Sequence, residues 1–209
     1  MNLKRNYLLP TKRMAYLLLA GFLAGVIWFV GVRMILLKSE HVHYHANFAV
    51  YIDGKREPFD SYVYYEEIQS CSSDASDPRT RVHMHDSISH VVHVHDKGAT
   101  WGHFFANLGY DITDKALQTR SDVYLDGSNG KKISFILNDQ PVTNLANRVI
   151  QDTDRLLVNY GSESDADLRL RYATVEHDAA EVNKKTDPAT CSGQAPDGAW
   201  DRLKRAVWQ

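Results

Sequence analysis

The sequence predicts an α+β domain carried behind one apolar N-terminal helix, on three observations. The 209-residue chain opens with a 19-residue stretch, MAYLLLAGFLAGVIWFVGV at 14–32, that holds no charge. Short β-rich segments then cluster around a few helical ones, with no regular strand–helix alternation, which is the pattern of α+β rather than α/β proteins. Eight of the ten histidines fall between His41 and His95, most of them spaced by two, the period of a strand.

The apolar stretch comes first. At about 1.5 Å per residue it spans roughly 30 Å, the hydrocarbon thickness of a bilayer, and it lacks the polar stripe of a buried soluble helix. Lys4, Arg5, Lys12 and Arg13 precede it. They favour a cytoplasmic N-terminus, with the remainder outside the cell membrane as a single-pass protein. A cleaved signal peptide has a shorter apolar core and a small-residue cleavage site, and no such site follows here. The expected organisation is a cytoplasmic N-terminus and transmembrane anchor at 1–38, a His-rich α+β domain at 39–161, and a polar tail with helical segments at 162–209.

Charge divides the same way. Residues 1–38 hold six Lys/Arg and no acid, which leaves 18 basic against 26 acidic residues, a net of −8, for the remainder. So acidic an exterior argues against a nucleic-acid partner and weakly concentrates cations.

After the anchor, ANFAVYI at 46–52 reads as a strand and Asp53-Gly54 as a hairpin turn into a return strand at 55–58. YVYYEEIQ at 62–69 reads as another strand, followed by a polar loop holding Cys71. In TWGHFFANLG the period changes: Trp101, Phe104, Phe105 and Leu108 form a helical stripe, with Thr100 as N-cap and Gly109 as the stop. ITDKALQT at 112–119 reads as a short helical turn. SDVYLDG and KKISFILNDQPV read as strands, 144–150 as a short helix and 154–161 as the last strand. This closing strand, turn, strand, short helix, strand pattern resembles half of a β-grasp fold. DADLRLRYATVEHDAAEV reads as helical. In AWDRLKRAVWQ an apolar stripe runs beside basic residues, which suits a membrane surface or packing on the chain's own domain.

Cys71 and Cys191 are the only cysteines. In an oxidising exterior a lone pair 120 positions apart reads as one disulfide, pinning the tail to the early loop, and not as a CxxC redox site.

The histidines carry the chemistry. His83 and His85 share one face of a strand, as do His93 and His95, and as do His43 and His45. An antiparallel hairpin around SISH brings the odd residues together in either of two registers, His83 opposite His95 or His83 opposite His93. The even residues Val82, Met84, Val92 and Val94 then face a core. Imidazoles on adjacent strands lie within reach of one ion bound at about 2.0–2.1 Å. The expected metal ligands are His43, His45, His83, His85, His93 and His95. All-nitrogen ligation suits zinc or copper and not calcium or magnesium. Asp86 and Asp96 are placed to accept ring N–H bonds. His90 is expected in a turn, His103 on a surface and His177 in the tail.

The phrases HVHYHANFAVYIDG, RVHMHD, VVHVHDKGATWGHFFANLGY, FILNDQPV, LLVNYG and TDPATCSG resemble a group of uncharacterised membrane-anchored bacterial proteins with a His-rich extracytoplasmic domain. The resemblance covers nearly the whole chain. Such sequences sometimes carry the label protein-disulfide isomerase. The residues give that activity no physical support, since there is no CxxC and no thioredoxin-like βαβ start.

Three functions fit the sequence. The first is a membrane-tethered zinc- or copper-binding module. The second is a metal-dependent enzyme with a strand-built site, for which Asp86, Glu66 or Glu67 would be the general base. The third is a pH-sensing interaction protein. No HExxH or GxSxG motif is present, so the balance leans against catalysis and no catalytic residue is assigned.

Overall fold

A computed structural model describes residues 11–36, 42–65, 78–185 and 199–208. Cys71 and Cys191, expected to pair, lie outside the described residues, as do His41, Glu66 and Glu67. The chain forms two compact units, one of residues 1–40 with 196–209, the other of residues 41–195.

In the first unit, α1 (Lys12–Leu36) is a continuous helix with no buried residue. Its hydropathy and length are those of a helix able to cross a membrane. The short helix α5 (Ala199–Trp208) packs against it.

The second unit is built on a seven-stranded sheet. Its strands are β1 (Tyr44–Ile52), β2 (Lys55–Arg56), β3 (Val82–His83), β4 (Val91–Val94), β8 (Lys132–Leu137), β9 (Gln140–Val142) and β10 (Arg155–Gly161). The order is β3-β4-β1-β10-β8-β9, with β2 also paired to β1. Strands β1 and β10 are parallel and every other pair is antiparallel. Asn47 pairs with Arg155 on one side and Val91 on the other, so β4 and β2 share the edge of β1 opposite β10. The β1–β2 turn has Asp53 at φ +51° and Gly54 at φ +76°, the two left-handed residues of a tight hairpin.

Pleating sorts the side chains. Ala46, Phe48 and Val50 of β1 join Val82, Met84, Val92, Val94, Leu156 and Val158 in a core on one face. Helix α2 (Trp101–Asn107) closes that core with Trp101, Phe104 and Phe105, and Leu108 follows at its end. Thr100 caps α2 as expected: its hydroxyl accepts from the His103 backbone N–H, and the His103 ring Nδ1 accepts from the Thr100 N–H. Gly102 lets the helix approach the 3-10 turn at Leu145–Asn147, because a Cβ there would sit 2.6 Å from the Ala146 carbonyl oxygen.

On the opposite face, α3 (Asp165–Ala173) lays Leu168 and Tyr172 over Ala49, Leu157 and Ile136. Further along, α4 (Ala179–Val182) meets β1 at Asn47, whose side-chain amide donates to Asp178 Oδ1 at 2.7 Å and whose Oδ1 accepts from the Ala179 N–H at 2.9 Å.

Two local expectations change. Residues 112–119 are not helical. Strands β5 (Asp111–Ile112) and β6 (Ala116–Gln118) pair, and with β7 (Val123–Leu125) they form a second sheet. The Thr113 hydroxyl accepts from the N–H groups of Lys115 and Ala116, which turns the chain back before a helix can start. In the 62–69 segment, Tyr62–Tyr64 is a 3-10 turn rather than a strand, and Tyr65 makes a single bridge to Met84.

Candidate metal centre

The β3–β4 hairpin adopts the register with His83 opposite His93. On the other side of β4, His93 faces His45 of β1. Three strands therefore set His83, His93 and His45 in one row. His43 lies stacked on His95, with ring centroids 5.0 Å apart, and His95 stacks on His83 at 5.1 Å. The His85 ring centroid is 3.5 Å from that of His93. All six expected imidazoles gather at one end of the sheet face that α3 and α4 cover further along. Five are buried, and His43 is partly exposed.

Within this group, His43, His45 and His93 bring one nitrogen each to within 4.8 Å of one another. A tetrahedral ion with 2.0–2.1 Å bonds needs nitrogens about 3.3 Å apart. The three nitrogens thus stand close enough for the set to be a candidate metal site. His83, His85 and His95 flank this set.

Hydrogen bonds around the site fix which nitrogen each ring presents. The Asn183 amide donates through Nδ2 to Asp152 Oδ1 at 2.7 Å, so its oxygen must be the atom 2.6 Å from His45 Nδ1. His45 Nδ1 is then the N–H donor, and its Nε2 carries a lone pair. That lone pair lies 2.7 Å from His93 Nδ1, which therefore donates to it, a bond that an ion held by both rings would have to replace. His93 Nε2 is left with a lone pair, buried and without a hydrogen-bond partner among the described residues. His83 Nδ1 meets the Arg79 carbonyl at 2.6 Å, where only the ring can donate, so its Nε2 also presents a lone pair. Outer hydrogen bonds of this kind orient metal-binding histidines.

Electrostatics agree with these assignments. Burial, and then the neighbouring imidazoles of His85, His45, His83 and His95, hold His93 far below the usual histidine range. The ring is neutral at pH 7, the form that binds a metal.

The acidic neighbours divide. His85 Nδ1 lies 2.9 Å from Asp86 Oδ2. Asp86 has a left-handed backbone, φ +58°, in the turn after β3. Asp96 corrects the expectation: it accepts from Gly98 N–H at 2.6 Å and Arg81 Nε at 2.8 Å, and both hold its carboxyl below the usual range. His103 is exposed and serves the helix cap. His90 sits in a turn with Nε2 3.1 Å from Asp178 Oδ2, and His177 is exposed.

Asn183 and Asp152 were not foreseen from the sequence. Asn183 stands 138 positions from the histidine it orients, and no spacing rule links the two.

No family model, no curated protein and no solved structure matches this chain.

Proposed function

We propose that the chain is a membrane-anchored extracytoplasmic protein that binds a zinc or copper ion through histidine pairs on adjacent strands. The observation that carries this reading is the convergence of His43, His45 and His93, with donor nitrogens within 4.8 Å of one another. Their chemistry supports it: nitrogen donors only, with His93 held neutral by burial and the His45 tautomer set by Asn183. Helix α1 supplies the anchor, and the basic residues before the span set the N-terminus in the cytoplasm. The strand order β2-β1-β10-β8-β9 around a central parallel pair supports a β-grasp-like reading of the folded unit. The same features suit the His-rich membrane-anchored proteins that the sequence resembles.

Completed by a fourth imidazole, the site is closed, and the protein captures or hands on its ion. The three-nitrogen set also favours a second reading, a metal-dependent enzyme with an open coordination position and Asp86 beside the site.

Metal analysis of the detergent-purified full chain tests the first reading. Zinc or copper is expected in stoichiometric amount, and His93→Ala is expected to lose it while His177→Ala retains it. Equal metal content in both variants contradicts the assignment. A solvent molecule on the bound ion, seen spectroscopically, shifts the reading toward the enzyme.

A further inference from the structure

Helix α5 exposes what a soluble surface rarely exposes together. Trp200 is 65% accessible, Trp208 84% and Val207 50%. At about 100° per residue, these three and Lys204 fall within an arc about 100° wide. Ala206, outside that arc, is buried. The buried side of α5 is thus already used, and a second apolar face remains open. Lys204 stands over the Trp200 ring, its nitrogen 5.9 Å from the ring centroid.

The composition of this face names its occupant. Tryptophan concentrates at the level of lipid headgroups, where an apolar ring and a polar N–H are both accommodated. Lysine and arginine lay their stems along apolar surface and lift their charge toward phosphate. The segment 199–208 carries Arg202, Lys204 and Arg205 against the single acid Asp201. This basic segment contrasts with the net −8 of the chain beyond residue 38, so its charge complements an anionic surface. Helix α5 also packs against α1, so the bilayer that α1 is read as crossing adjoins this face.

We infer that α5 lies in the headgroup region of the membrane on the outer side, with Trp200, Val207 and Trp208 among the lipids. This rests on the reading of α1 as a membrane span. The helix would then act as a second, reversible contact that returns the end of the chain to the anchor.

The four tryptophans of the full chain allow a direct test in nanodiscs of mixed zwitterionic and anionic lipid, made with plain or with shallowly brominated acyl chains. Trp101 is fully buried in the folded unit and gives a constant background. In Trp28→Phe the remaining signal comes from Trp200 and Trp208, and bromine is expected to quench it. In the double variant Trp200→Phe, Trp208→Phe the signal comes from Trp28, and quenching is again expected. Quenching in the double variant but none in Trp28→Phe overturns the α5 assignment and leaves the anchor standing. No quenching in either overturns the anchor and α5 with it. Both sets of substitutions replace exposed side chains, so loss of the fold does not confuse the outcome.

Discussion

Asn183 decides which nitrogen of His45 faces the other imidazoles. Its own orientation is not free, because the Nδ2 group is committed to the Asp152 carboxylate. With the amide oxygen on His45 Nδ1, His45 must present a lone pair at Nε2. Removing the amide releases the ring to flip or to change tautomer while leaving every nitrogen donor in the chain. Asn183→Ala is therefore expected to weaken zinc or copper binding by about 10–100-fold, the usual effect of losing an outer partner of a metal-binding histidine. Competition against a chelator measures it, and unchanged affinity would remove Asn183 from the site. Asn183 is only partly buried, so the variant is expected to fold. At this scale the sequence is half legible. The HxH pairs announce themselves by spacing alone, and all six rings do meet. Their tautomers were not legible, because they depend on an amide and on the Arg79 carbonyl, which only the fold brings near.

The histidine-bearing strands translate cleanly from this sequence, whereas 62–69 and 112–119 do not. Alternation has one answer once a face is buried, so Val82, Met84, Val92 and Val94 go to the core and the odd-numbered rings go to the other side. The register was less determined, since two pairings satisfied the same parity, and the structure takes the one that sets His93 between His83 and His45. The 112–119 segment misleads because Ile112 and Leu117 face each other across a hairpin, a contact that apolar spacing within a few residues does not separate from a helical turn. Gly102 is a subtler case. The helical stripe of α2 would accept alanine there on propensity alone. The structure forbids it, since the added carbon meets the Ala146 backbone, which cannot swing aside as a flexible side chain can. Gly102→Ala is expected to destabilise the folded unit by about 1–3 kcal/mol, in the range of overpacked sites. Ala106→Gly, on the exposed side of the same helix, is expected to cost about 1 kcal/mol or less. Denaturant unfolding of the two variants checks the order, and a stabilising Gly102→Ala would mean that α2 and the 145–147 turn are further apart than described.

The folded unit as a whole carries a cost that the proposed ion would offset. Gathering imidazoles in a buried patch holds His93 neutral well below its ordinary titration range, while the unfolded chain takes up a proton near pH 6.5. Below that value the unfolded state binds more protons than the folded one, so stability falls as pH falls. One such histidine contributes a slope of about 1.4 kcal/mol per pH unit, starting near pH 6.5 and continuing down toward the depressed folded value. A metal acts in the opposite direction. An ion bound as proposed, to the folded chain alone, would add about 2.7 kcal/mol at a hundredfold excess over its dissociation constant. That gain persists in acid for as long as the rings that bind the ion stay neutral in the folded state, as His93 does. The metal-free protein is therefore expected to melt at a lower temperature at pH 5.5 than at pH 7.5, and zinc or copper is expected to raise the melting temperature at both pH values. In His93→Ala both the metal shift and part of the pH dependence should diminish together, since one ring carries both. If metal raised the melting temperature of that variant as much as the parent's, the ion would be bound elsewhere. If instead the pH dependence alone survived unchanged, the proton linkage would belong to groups outside the histidine patch.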